Sequence, residues 1–235
     1  MVRAGKWGFA VAVVIAAGCR NLEEEAITVS HSALLHGAQE DLDEKRYDGA
    51  IRKLERAAAL KPDDSRAHLN LGHALVVRAR QDDVNAEARA AFLSRALTAH
   101  RTALELRPTS PQRHYFVGRD LLLLGRPAEA VAHLEKAQEL DPKVPFIDAR
   151  LGDAYRAMKE YDLAIEHYRA GLARPPQRLA TMELHEGVGE TLAAQGEIDD
   201  ALKAFALARK SAPSARHIKR IEKHIAALST PATPD

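Results

Sequence analysis

A spacing of about 34 residues organises most of this chain. Pro62, Pro108, Pro142, Pro176 and Pro213 fall 46, 34, 34 and 37 residues apart, and ahead of each the same small and apolar residues return. The third unit has Val117-Gly118, Leu121, Gly125, Ala130, Leu134 and Ala137. The fourth has Leu151-Gly152, Tyr155, Tyr161, Ala164, Tyr168 and Gly171, and the fifth Val188-Gly189, Leu192, Gly196, Ala201, Phe205 and Ala208. The first (Leu34, Ala38, Tyr47, Ala50, Leu54, Ala57) and the second (Leu71-Gly72, Leu75, Ala96, Ala103) are looser. A recurrence of this length signals stacked helical units, each burying its apolar face only against its neighbours. The small residue in each first helix allows close approach of the second. The proline lacks an N–H and restricts the residue before it, so it ends the second helix. Gly125 and Gly196 stand where a helix–helix turn needs a permissive backbone. The composition agrees, since 46% of residues are hydrophobic but only 5% aromatic, leaving alanine and leucine to build the core.

These positions resemble the tetratricopeptide repeat over residues 31–213. The resemblance implies an all-α fold, an α-solenoid of about five helix–turn–helix units at about 31–64, 65–110, 111–144, 145–178 and 182–213. The second unit exceeds the period by 12 residues, and the extra material centres on residues 79–90. Ala86 to Leu106 reads as one long helix capped by Asp83 or Asn85. The insertion is then either a lengthened hairpin or a protruding contact element for a partner or membrane. Residues 214–228 form an amphipathic helix with Ile218, Ile221, Ile225 and Leu228 as its apolar stripe, suited to cap the array. Residues 229–235 read as a disordered tail.

The N-terminus has a different pattern. Arg3 and Lys6 precede an apolar run over residues 7–17, and Gly18-Cys19 is followed at once by Arg20, Asn21 and three glutamates. Eleven apolar residues are too few to span a bilayer, which takes about 20, and the flanks are those of a signal peptide. Ala16-Ala17-Gly18-Cys19 resembles the bacterial lipobox, with alanine at the position where leucine is commonest. That resemblance implies removal of residues 1–18, lipid on Cys19 as the mature N-terminus, and residues 19–30 as a tether. A plain cleavable signal is the other reading. Cys19 is the single cysteine of the chain, so it has no intrachain disulfide partner. Arg20 stands where an inner-membrane retention signal would place aspartate, which favours the periplasmic face of the outer membrane.

No reaction chemistry emerges from the remaining residues. Removing the leader leaves 32 basic against 33 acidic residues, so no basic field attracts nucleic acid. The 11 histidines show no HExxH, and one cysteine excludes a zinc knuckle. No Gly-rich phosphate loop and no GxSxG elbow occur. The expectation is a non-enzyme without metal, cofactor or small-molecule substrate, apart from the covalent lipid on Cys19.

In the repeat family the first helix of each unit lines the partner-binding groove. Carried over, this places Leu35 and Leu42 of the first unit, Leu69, His73 and Val76 of the second, Tyr115, Arg119 and Leu122 of the third, and Phe146, Ala149 and Asp153 of the fourth in a mixed but apolar trough. Such a trough suits an amphipathic helix or an apolar extended segment. Packing of the same leucines within a tight superhelix is the competing reading. Glu183, Glu186 and Glu190 of the fifth unit are expected to favour a basic flank on the ligand. Leu69 and His73 occupy two positions of the asparagine-and-lysine carboxylate clamp of chaperone-binding members, so capture of a C-terminal carboxylate is not expected. Lipobox, length and repeat number together resemble the pilotins of type IV pili, which implies a secretin subunit, or another outer-membrane protein, as client. An adaptor for peptidoglycan enzymes or for β-barrel assembly is the alternative.

Overall fold

The computed structural model describes residues 30–143, 146–174 and 178–229, and among these every regular element is a helix. The leader, Cys19 and the tail from residue 230 lie outside the described residues. Helix α1 covers residues 30–43. It is followed by α2 (Tyr47–Leu60), α3 (Ser65–Ala79), α4 (Ala86–Glu105), α5 (Pro111–Leu123), α6 (Pro127–Leu140), α7 (Ile147–Ala157), α8 (Tyr161–Leu172), α9 (Arg178–Gln195), α10 (Ile198–Ser211) and α11 (Ala215–Ser229). The chain divides into two compact units after Leu106. The first holds α1–α4 and the second α5–α11.

Odd-numbered and even-numbered helices pair as hairpins, and the turns share one chemistry. Gly125 and Gly196 take left-handed φ values of 71° and 85°. The next N–H reaches back into the helix end, Arg126 to the Leu121 carbonyl and Glu197 to the Leu192 carbonyl. This closes the orphan carbonyls there. Lys45 (φ 60°) and Lys159 (φ 64°) hold the same place in the first and fourth units without glycine's freedom, and Arg46 and Glu160 repeat the hydrogen bond to Asp41 and Tyr155.

Within the hairpins, one register recurs. A small residue of the first helix meets a large side chain of the second. Gly118 lies under Leu134, Gly152 under Tyr168 and Gly189 under Phe205, and a Cβ built on Gly152 would stand 2.4 Å from the Tyr168 ring. Gly72 faces His100 in the same way, with the sequence offset enlarged by the insertion. These large side chains are almost wholly buried, so each glycine sets how closely its two helices approach.

The insertion closes on its own unit. The Asn85 side chain accepts the Ala88 N–H at 2.8 Å, so Asn85 is the cap of α4. Arg78 holds Asp83 through two hydrogen bonds and Asp48 of α2 through a third, while its guanidinium lies over the Phe92 ring. Val84 is buried, and Arg89 donates to the Ala79 carbonyl at the end of α3. These contacts are those of a lengthened hairpin. In the second compact unit α9 begins at Arg178, ahead of the expected start at 182. The stripe Ile218, Ile221, Ile225 and Leu228 of α11 packs on Met182, Ala201, Phe205 and Ala208.

Candidate partner-binding faces

The expected groove residues sit on first helices, so each compact unit presents its own face. In the first, α1 carries Leu35 and Leu42 and α3 carries Leu69 and His73, all partly buried. Leu35 packs on the core of Ala57, Ala58 and Ala67, so part of its surface already serves the fold. The His73 ring meets the buried His100 ring edge-on at 5.2 Å. Val76 does not line a groove. It is 3% exposed, inside the run Ala74–Leu75–Val76 where the lengthened α4 packs along α3.

In the second compact unit, α5 packs on α7 and α7 on α9. Tyr115, Arg119 and Leu122 are partly buried on α5. Arg119 bonds the fully buried Asp120 at 2.9 Å and lies 4.9 Å from the centre of the Phe116 ring. Phe146 caps α7 with a left-handed φ of 68°. Ala149, placed in the trough by register, instead joins the core of Ala164, Tyr168 and Leu184.

Charge was the feature that register alone misplaced. Asp153 accepts the Tyr168 hydroxyl at 2.9 Å and Arg150 at 2.5 Å. Arg150 continues to Glu183 of α9, and Arg156 reaches Glu190 at 2.8 Å. Arg220 of α11 pairs with Glu186, which is 7% exposed. The three glutamates expected to meet a ligand's basic flank are therefore already paired with arginines of the same chain. Desolvation offsets much of the Coulomb gain of such half-buried pairs, but each carboxylate already has an arginine partner. Burial pulls the Arg150 pKa down, and Asp153 and Glu183 outweigh it, so the group stands above its ordinary value. Burial lifts the Glu190 carboxyl above the usual range against the opposing pull of Arg156 and His224.

The pairs carry a signal that sequence reading could have used. Arg150 and Glu183 are 33 residues apart, and Glu186 and Arg220 are 34 apart. Positions one period apart lie side by side on neighbouring first helices, so opposite charges at that offset face each other. By this measure α11 stands where the first helix of a further repeat would stand. Sequence reasoning also missed the most exposed large apolar side chains among the described residues, Leu207 at 48% and Leu163 at 41%, both on second helices.

Two profiles of the same repeat match the chain. One, for the TPR repeat, covers residues 38–76, and the other, for the tetratricopeptide repeat, covers residues 78–145 and 149–216. The chain belongs to the tetratricopeptide-repeat family. TPR proteins are protein-interaction scaffolds, and this one is built as such. Its fold is shared by TTC0263, a thermophilic TPR protein of Thermus thermophilus, at 20% identity and TM-score 0.64, covering 84% of this chain and 98% of that one. PilW, a widely conserved type IV pilus biogenesis factor, matches at 20% identity and TM-score 0.63 over 84% of this chain and 92% of its own. YrrB, a TPR protein with an unusual peptide-binding site, matches at 18% identity and TM-score 0.56 over 81% of this chain and 90% of its own. No curated protein matches the sequence. Among the described residues, no helix is long and apolar enough to cross a membrane.

Proposed function

We propose that this TPR protein is a non-enzymatic, lipid-anchored scaffold of the outer membrane. It captures a helical or apolar segment of a client on the faces of its first helices, and the client is a secretin subunit of a type IV pilus system. The observation that carries the reading is the persistence of partly exposed apolar side chains on successive first helices, Leu42 and Leu69 in one compact unit and Tyr115, Leu122 and Phe146 in the other, on a chain whose leader ends in a lipobox-like Cys19. A helix laid into such a face is read through anchors at helical spacing. The fold shared with a pilus biogenesis factor and with a peptide-binding TPR protein supports the same reading. Anchoring at Cys19 would raise the effective concentration of a captured client at the bilayer. The test is affinity capture of the tagged protein from detergent-solubilised membranes. Recovery of a secretin supports the proposal. Recovery of peptidoglycan enzymes or barrel-assembly proteins in its place overturns it.

A further inference from the structure

We infer that Glu186, Glu190 and His224 form a binding site for one divalent metal ion of the zinc class where α11 packs on α9. Glu186 and Glu190 are four residues apart on α9 and so share one helix face. His224 approaches from α11. Its Nε2 lies 3.7 Å from Glu186 Oε1 and 3.6 Å from Glu190 Oε1, and one ligand atom from each of the three residues falls within a 4.8 Å span. Those nitrogen–oxygen separations are too long for hydrogen bonds. They are close to the edge of a tetrahedron around zinc, which is about 3.4 Å for bonds of about 2.0–2.2 Å. His224 thus stands at near-coordinating separation from both carboxylates, and a fourth position is left for water or a partner's side chain.

The surroundings match what a metal site needs outside its ligands. Each carboxylate commits its other oxygen to an arginine, Glu186 Oε2 to Arg220 and Glu190 Oε2 to Arg156. Such hydrogen bonds orient ligating carboxylates. The His224 ring stacks on Phe205, with planes 9° apart, which fixes its direction. The charge balance also leaves room for a cation. Asp153, Glu183, Glu186 and Glu190 contribute four carboxylates to the network that His224 completes, against the three guanidiniums of Arg150, Arg156 and Arg220. An ion held here would tie the capping helix to the last repeat by coordination, in addition to the apolar stripe beneath it.

Calorimetric titration of zinc ion into the chelator-treated full chain tests this, with Cys19→Ser removing the thiol as a competing ligand. Cobalt ion serves as a second probe, since its visible absorption reports tetrahedral coordination. The expected result is one saturable equivalent, and at least a tenfold loss of affinity in both Glu190→Gln and His224→Gln. Glu190→Gln keeps an acceptor for Arg156, so its fold is retained. His133→Gln, at the separate His114–His133 pair, leaves the affinity unchanged. Absence of one-equivalent binding, or a loss smaller than tenfold in either ligand variant, overturns the assignment.

Discussion

Gly152→Ala tests whether the recurring small residue sets the helix–helix distance. The new Cβ would lie 2.4, 2.6 and 2.7 Å from three atoms of the Tyr168 ring, where carbon atoms rest at about 3.5–4.0 Å. The ring cannot simply retreat. A Cβ at Gly187 would also meet it at 2.4 Å, and its hydroxyl is held by Asp153 at 2.9 Å. Helices α7 and α8 must therefore separate by roughly 1 Å at the crossing to restore that contact distance. With the ring held on several sides, overpacking here stands at the upper end of the usual range, at about 2–3 kcal/mol. The better helix propensity of alanine returns about 1 kcal/mol, leaving a net loss of about 1–2 kcal/mol. For a chain of this size that is a fall in melting temperature of roughly 2–8 °C, read by far-ultraviolet circular dichroism. Adding Tyr168→Leu should make the alanine less costly than it is alone, because the two sites share one contact. A Gly152→Ala protein as stable as the parent would refute the argument.

Further outcomes follow from the caps, the turns and the leader. Asp64 caps α3 through the Arg66 N–H and accepts His31 at 2.8 Å. Burial raises its pKa, but these hydrogen bonds prevail and hold it down at about 2 against an ordinary 3.8. The folded value is the lower one, so its contribution, on the order of 1 kcal/mol once solvent screening is allowed for, is complete above about pH 4 and is lost as pH falls toward about 2. Urea titrations at about pH 6 and about pH 2, on either side of that window, should show the stability gap between the parent and Asp64→Asn closing, and a constant gap would contradict this assignment. Lys45→Gly and Lys159→Gly remove a left-handed Cβ from two turns, and each should gain about 0.5–1 kcal/mol in the same titration; a loss would mean that the lysine side chains matter more than the backbone. Cys19→Ser should move the protein from the membrane to the soluble fraction while leaving client capture intact, and loss of capture would contradict the separation of anchor and face.

The repeat was legible because it is written in residue size. Prolines, glycines and alanines at a fixed period dictate where helices stop and how closely they pass, and those demands are local. The exposure of individual first-helix residues was not legible, because it depends on what the neighbouring helix brings. Register placed Val76, Ala149 and Glu186 on an open face, yet all three are covered by an adjacent element. The ion pairs were hidden for the same reason. Arg150 and Glu183 look unrelated until the period is used as a ruler. The turns at Lys45 and Lys159 escaped notice because lysine gives no hint of a left-handed backbone that glycine announces at Gly125 and Gly196.

The central claim is that the first-helix faces hold the client. Leu69→Glu with Leu122→Glu places one charge on a partly buried apolar position of each compact unit, and secretin recovery from the same membrane extract is then compared with that of the parent. The account predicts at least about a tenfold drop in recovery, as expected when apolar anchors are lost, with helicity and melting temperature nearly unchanged. Undiminished recovery, or a double variant that unfolds, would show that these leucines belong to the core or that the client binds elsewhere.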